Sequence, residues 1–416
     1  MPRAAAGGRV SAADERRHAG ADGRTCGDRA AGAGSPRTVL LTLGRLPKAL
    51  DLARSFARGG WRVVVAEPFR RHLVGASNVV ARSHVVTAPA VDRERYLGDL
   101  LRVIDAERVQ LVVPVSEEAM HVAFLRDRLP GGVRLYTMPP EALLAVHHKG
   151  RFVERCRDYG LAVPDSAMAD APRAAEIARA GRFVTKPAYS CSGRGVRFHA
   201  PGAGFPADPG LVVQSFVEGA LCSTCTQAHD GRVLATVVYR GAVMSGSVAV
   251  CFERIAQPAV EEWVRTFVAR TGWTGFVAFD FVVDAEGRAH AIECNPRTTS
   301  GLHFLHPDDL ARGVVAPEDP RPVRFRDERT LMQFWACLTE LGNAGLDRAR
   351  AARVWRAMRT ARDVTWSPDD PWPLLSMPWT SWTIISMARA RGVPFGEVAT
   401  LDVGWYEDRD RSATAA

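Results

Sequence analysis

An aspartate stands inside an otherwise apolar run, Gly275-Phe-Val-Ala-Phe-Asp-Phe281, and this constrains the fold more than any other feature. An acid in a buried strand is costly unless something pairs with it. The turn Asp284-Ala-Glu-Gly287 follows, and then a second run from Ala289 that ends in Ala291-Ile-Glu-Cys-Asn-Pro-Arg297. Two apolar runs joined by such a turn predict a β-hairpin. Side chains alternate along a strand, so Glu293, Asn295 and Arg297 face one way. Asp280 on the partner strand is placed to meet Glu293 across the hairpin. Mg2+ prefers oxygen ligands, and Asp280, Glu293 and Asn295 supply them. Arg297 adds a fork-shaped cation suited to a transferring phosphoryl group or an acyl phosphate. An Asp–Arg bridge within a sheet is the purely structural alternative.

The chain of 416 residues is too long for one core and suits two or three packed domains. No run of eighteen apolar residues occurs, and the N-terminus has no apolar signal-like stretch, so neither a membrane helix nor a signal peptide is expected. Eight cysteines without regular spacing form no disulfide framework, which fits the cytoplasm. The net charge is +8, and residues 1–37 carry seven arginines against four acids. No basic run with interleaved aromatics accompanies it, which excludes nucleic acid as the expected partner and favours an anionic small molecule. The chain has fifty-one arginines but only three lysines, Lys48, Lys149 and Lys186. Where arginine serves as the ordinary surface cation, a retained lysine points to a need for a compact ammonium, as at a phosphate.

Residues 1–37 are rich in Ala, Gly and Arg without periodicity and are expected to be a disordered tail. Val39 to Leu43, a helical stretch from Ala49 to Ala57, and Trp61 to Ala66 give a βαβ opening. Residues 38–140 therefore predict a doubly wound α/β domain. From 141 to 310 the pattern becomes α+β, with antiparallel strands and glycine turns. Residues 311–416 form a C-terminal helical region rich in tryptophan.

A second chemical signal is Lys186-Pro-Ala-Tyr-Ser-Cys-Ser-Gly-Arg-Gly-Val196, a strand that ends in Lys-Pro and opens a small-residue loop. Backbone N–H groups of Ser192, Gly193 and Gly195 can cradle phosphates, with Lys186 at the root of the loop. The strand–loop–strand context argues against a Walker A loop, which opens a helix. Third is Val212-Val-Gln-Ser-Phe-Val-Glu-Gly219, an apolar strand breaking at Glu-Gly. It predicts a hinge near 214–219 whose backbone meets an adenine edge, with Phe216 and Val217 as apolar wall. Ser116-Glu-Glu118 ends a parallel strand, where open α/β sheets place ligands. Two acids there suit an amine, and a solvated helix start suits them as well. Cys222-Ser-Thr-Cys225 has no second pair and predicts small buried residues facing opposite sides rather than zinc. His147 and His148 are expected to cap a helix; His303 and His306 follow the Glu293–Arg297 run closely, and a substrate contact by one of them is the less favoured alternative.

Lys149 before Gly-Leu-Ala-Val-Pro164, then Lys186 with its glycine loop, the Gln214 hinge, Asp280 and Ile-Glu-x-Asn-Pro-Arg297 together resemble the ATP-grasp superfamily over about residues 38–310. The resemblance implies an ATP-grasp fold with an N-terminal doubly wound domain, ATP lying between two α+β subdomains. It implies that Lys149 and Lys186 contact ATP and that Gln214, Phe216 and Val217 frame adenine. It further implies that Asp280, Glu293 and Asn295 bind two Mg2+ (or Mn2+), and that Arg297 steadies a phosphorylated intermediate. Where the family places a glutamate for the ribose, this chain has Leu221, and Glu218 is the nearby substitute.

Gly44-Arg-Leu-Pro-Lys-Ala-Leu-Asp-Leu-Ala-Arg-Ser-Phe56 and Ala291 to Ser300 are similar to the mycosporine-glycine synthase family. That implies an ATP-dependent ligase joining an amino acid amine, glycine, to a small-molecule acceptor, 4-deoxygadusol, as part of natural product biosynthesis. A carboxylate–amine ligase is the alternative, and a non-catalytic ATP-binding module the alternative of another class. Trp366, Trp372, Trp379 and Trp382 are expected to pack over the body as a lid or homodimer surface. Prolines 368, 371, 373 and 378 forbid one continuous helix there, so a membrane belt is not expected.

Overall fold

The computed structural model describes residues 37–190, 193–392 and 398–405. The tail expected over 1–37 lies outside them but for Arg37, as do Cys191 and Ser192 of the glycine loop.

The first body is a parallel sheet of β1 (Thr38–Leu41), β2 (Arg62–Glu67), β3 (Val80–Val85), β4 (Val109–Val113) and β5 (Arg134–Leu135), in the order β3-β2-β1-β4-β5. The reversal of order beside β1 makes it doubly wound, as the βαβ opening predicts. Helix Pro47–Arg58 covers one face with Leu50 and Phe56, and helix Arg93–Ala106 the other with Leu97 and Leu100. Both sheet faces are therefore dry, and β1 is buried at every residue. Strand β3 is hidden from a sequence reading, because Arg82, Ser83 and His84 make it a polar edge.

Two sheets follow, antiparallel throughout except for one parallel pair at the edge of the larger. One contains β6 (Ser166–Met168), β7 (Phe183–Pro187), β8 (Arg197–His199) and β9 (Leu211–Ser215), in the order β6-β9-β7-β8. The other contains β10 (Ala220–His229), β11 (Arg232–Ser245), β12 (Val248–Arg254), β13 (Gly275–Val283), β14 (Ala289–Asn295), β15 (Thr330–Met332) and β16 (Arg362–Asp363), in the order β14-β13-β10-β11-β12-β15-β16. Helix Pro258–Thr271 packs Trp263 and Phe267 on Phe279 and Phe281, and begins on a proline and stops at left-handed Gly272. The chain passes between the two sheets at Phe216–Gly219. A Cβ on Gly219 would stand 2.2 Å from the Val283 carbonyl oxygen, so this crossing admits only glycine.

Alternation along β10 sends Cys222 into the helix-covered core and Cys225 into the core shared with the parallel-sheet body, as expected of small buried residues. The region after 310 is not all helix, since β15 and β16 extend the large sheet. Its polar anchors run to the parallel-sheet body: Arg54 pairs with Asp370 at 2.9 Å, and Arg45 bridges Glu67 and Asp402. Trp372, Trp379 and Trp382 stay exposed on helices Trp372–Thr380 and Trp382–Arg391. No helix among the described residues is long and apolar enough to cross a membrane.

Candidate active site

Strands β13 and β14 pair with Asp280 directly opposite Glu293 and Ala278 opposite Asn295. This register puts both carboxylates and the Asn295 amide on one face, as the alternation predicts. Asp280 accepts from Ser223 Oγ at 2.6 Å, on the neighbouring β10, and from Asn295 Nδ2 at 3.1 Å. Burial, and then the facing charge of Glu293, push the Asp280 carboxyl above its ordinary range. Two like charges held face to face form a site that a divalent cation would relieve. The donor set, two carboxylates and an amide, is all oxygen and suits Mg2+. Among the described residues, no group of three or more His, Cys, Asp or Glu forms a separate metal site.

Two lysines converge on this hairpin from the other side. Lys149, at the start of helix Lys149–Asp158, lies 3.4 Å from Glu293 and donates to the Ser190 carbonyl (2.8 Å) and Ser190 Oγ (3.1 Å). Lys186, at the end of β7, donates to Gln214 Oε1 at 2.9 Å and to the Ile292 carbonyl at 2.7 Å. Burial pushes the Lys186 ammonium down to about 8, against the pull of Glu293. Gly193 and Gly195 adopt positive φ, 69° and 72°, and a Cβ on Gly195 would collide with the Pro187 ring at 2.7 Å. The Gly193–Gly195 stretch before β8 therefore lies tight against the Lys-Pro end.

Arg297 leaves β14 into a dense cluster. Its Nη2 donates to Asn295 Oδ1 at 3.0 Å and its Nη1 to the Thr298 carbonyl at 3.1 Å. It pairs with Glu117, Nε to Oε1 at 2.7 Å. Glu117 is 1% exposed, so the Ser116-Glu-Glu118 turn is no solvated helix start. Burial works to raise the Glu117 carboxyl, but Arg297 and its neighbours hold it down to about 2. Glu118 accepts from the backbone N–H groups of Val115 and Ser116 and from Thr42 Oγ1, and braces the turn. Lys48 donates to the same Thr298 carbonyl at 2.7 Å. All three lysines of the chain thus lie along the Ile292–Thr298 segment.

His147 belongs here too. It is buried, its Nδ1 has no hydrogen-bond partner, and Glu117, Lys149, Glu293 and Arg297 surround it electrostatically. Burial pushes its pKa down to about 4. His148 alone is the cap, accepting from Arg151 N at 3.2 Å. His303 is held by Asp51 at 2.6 Å and stacks on Phe252, and His306 caps helix Pro307–Val315, so neither faces the hairpin. Sequence reasoning missed Ser223 and gave His147 a capping role that the structure leaves to His148 alone. The buried role of Glu117 had only its place after β4 as a signal.

The hinge residues divide. Gln214 is buried, and its side chain is spent on Lys186 and on Ser166 Oγ (2.9 Å), so it orients the lysine. Phe216 is half-buried, with the Arg182 guanidinium 4.2 Å from its ring and Phe198 edge-on at 6.0 Å. Val217 beside it is also half-buried. Glu218 is exposed and pairs outward with Arg182 at 3.1 Å, apart from the Lys149–Lys186–Glu293 group. Leu221 is 68% exposed.

Residues 146–301 match the family model described as an ATP-grasp domain. No curated protein matches the chain in sequence. Among solved structures, it resembles Staphylococcus aureus N5-carboxyaminoimidazole synthetase complexed with ADP, at 13% identity and a TM-score of 0.56, over 76% of this chain and 87% of that one. It resembles Bacillus licheniformis L-amino acid ligase at 16% identity and 0.52, over 70% and 79%. A Rhizobium etli pyruvate carboxylase is similar at 15% identity and 0.52 over 64% of this chain, which spans 27% of that larger one. The domain match covers residues 146–301, and the similarity to solved structures is one of fold. The chain has the ATP-grasp fold, with the parallel sheet as its N-terminal domain, and carries the ATP-grasp domain found in ATP-dependent ligases.

Proposed function

We propose that this protein is an ATP-dependent carbon–nitrogen ligase. It phosphorylates an acceptor oxygen and then joins the activated carbon to an amino acid amine. The observation that carries the reading is the Asp280–Glu293–Asn295 face, with Lys149, Lys186 and Arg297 directed at it. In this reading Lys149 and Lys186 hold the ATP phosphates under the Gly193–Gly195 loop. Phe216 and Val217 wall the adenine, and the hinge backbone meets its edge. Asp280, Glu293 and Asn295 hold two Mg2+, which screen phosphate charge and stabilise the phosphoryl group in transfer. Arg297 balances the charge on the phosphorylated acceptor. Phosphoryl transfer releases ADP; the amine nitrogen then bonds to the acceptor carbon and gives up a proton, the carbon–oxygen bond to phosphate breaks, and phosphate leaves with the electron pair.

Glycine and 4-deoxygadusol are the substrates suggested by the segments Gly44–Phe56 and Ala291–Ser300. A carboxylate activated as an acyl phosphate is the alternative acceptor. Purified protein with Mg-ATP, glycine and 4-deoxygadusol should release ADP and phosphate and form the adduct. Turnover only on amino acid pairs moves the reading to the carboxylate. Binding of ATP without turnover on either set favours a non-catalytic nucleotide module.

Lys186 gives this reading a pH test. Mg-ATP affinity of the ligand-free protein should weaken about tenfold from pH about 7 to about 9, as the ammonium is lost through about 8. Lys186→Arg stays charged and should flatten that profile. Equilibrium titrations check both, and a flat wild-type profile would remove Lys186 from the phosphates.

A further inference from the structure

We infer that Lys48 binds the acceptor, and that the acceptor presents an anionic oxygen to it, a carboxylate or an enolate. The inference rests on the ligase reading above and assigns the third lysine to the second substrate.

The geometry sets two cations side by side. Lys48 Nζ and Arg297 Nη1 both donate to the Thr298 carbonyl oxygen, at 2.7 Å and 3.1 Å. That oxygen is the only hydrogen-bond acceptor of the Lys48 ammonium among the described residues, although an ammonium carries three donors. Glu117 is already bonded to Arg297. Glu118 is turned to Thr42 and to the Val115 and Ser116 amides, and burial pushes its carboxyl above the ordinary range. Among the described residues, then, no carboxylate makes a direct ion pair with the Lys48 ammonium. Burial and the Arg297 charge push Lys48 down to about 7, as expected of an ammonium short of counter-charge.

A purely structural tie explains this poorly. A neutral donor would serve one carbonyl, and burying an ammonium for that purpose is costly. Lys48 also sits at the second position of helix Pro47–Arg58, where the helix dipole disfavours a cation and no acid stands in the first turn. A chain that uses arginine almost everywhere keeps a lysine here. An anionic acceptor oxygen supplies the missing charge and lies beside Arg297, close to the metal-binding hairpin. Already deprotonated, it attacks the γ-phosphorus directly. The new O–P bond forms, the bridging O–P bond to ADP breaks, and ADP keeps the electron pair. No proton has to move in this step.

Two measurements test this on the full chain. In steady-state ADP release, Lys48→Met should raise the acceptor KM roughly tenfold or more, while the Mg-ATP dissociation constant stays within about twofold. Lys48→Arg should recover part of the loss. Unchanged acceptor KM in Lys48→Met, or equal loss of ATP binding, overturns the assignment. The second measurement is made on the wild type, with variants used only to assign signals. With ε-13C-lysine the protein gives three side-chain signals, assigned by substitution to arginine. Mg-ADP should move those of Lys149 and Lys186, and 4-deoxygadusol or L-alanine added to that complex should move that of Lys48. A Lys48 signal unmoved by both additions overturns the inference. A wild type that turns over neither substrate set sinks the ligase reading instead, and the Lys48 signal still decides whether an anion binds there.

Discussion

Glu293→Ala is expected to lower ADP release about a thousandfold, a loss near 4 kcal/mol of transition-state stabilisation. Glu293 faces Asp280 across the hairpin and stands 3.4 Å from Lys149, so its removal opens the metal face and takes a counter-charge from a phosphate lysine. The fold should survive. Lys149 keeps both bonds to Ser190, and Asp280 loses the like charge that now raises its proton affinity. Melting temperature should therefore change little in the absence of nucleotide, while the stabilisation by Mg-ATP disappears. Glu293→Gln separates shape from charge: it keeps the side chain's volume and one oxygen, and should lose nearly as much activity. Unchanged ADP release in Glu293→Ala would remove the hairpin as the metal site.

The hairpin was legible because its register is a local matter. The Asp284–Gly287 turn sets the pairing as far as Phe281 and Ala291, a bulge at Ile292 then brings Glu293 opposite Asp280, and alternation selects the face. The lysines were legible for a different reason, since scarcity marked them without any knowledge of the fold. Lys48 shows how far that signal reached: composition singled it out, but nothing near it in the chain named Thr298 or Glu117. Glu117 itself meets Arg297 across 180 residues of sequence, and an acid pair after a parallel strand reads alike whether solvated or buried. His147 and His148 are adjacent, and the break between two short helices decides which is buried and which caps. Strands β15 and β16 have three and two residues, too few to carry a period. Local rules thus recovered the Asp280–Glu293–Asn295 face and marked the lysines beside it. The Lys48–Arg297–Glu117 cluster is assembled from contacts between the parallel sheet's domain and the hairpin, which leave no local pattern.

Arg297→Met is expected to cost both turnover and stability, and the two losses can be separated. Methionine fills much of the volume but leaves Glu117 buried without the guanidinium whose Nε and Nη2 both meet its Oε1. Breaking one side of a buried pair costs about 3 kcal/mol, even with Lys48 nearby as partial compensation. The pH dependence carries the signature. In the wild type the Glu117 carboxyl is held at about 2, below the 4.5 of an unperturbed glutamate. Its contribution to stability is therefore present above about 4.5 and is lost as pH falls toward 2. Without Arg297, burial prevails and raises that carboxyl, so the folded state binds the proton more tightly than the unfolded one. The variant's deficit should then be smallest in acid and grow as pH rises toward neutrality, which urea unfolding at several pH values would reveal. Adding Glu117→Gln to Arg297→Met removes the stranded charge and should restore much of the stability while turnover stays low. A double variant that regains activity along with stability would reduce Arg297 to a structural anchor. One that regains stability alone places its cation at the reacting group.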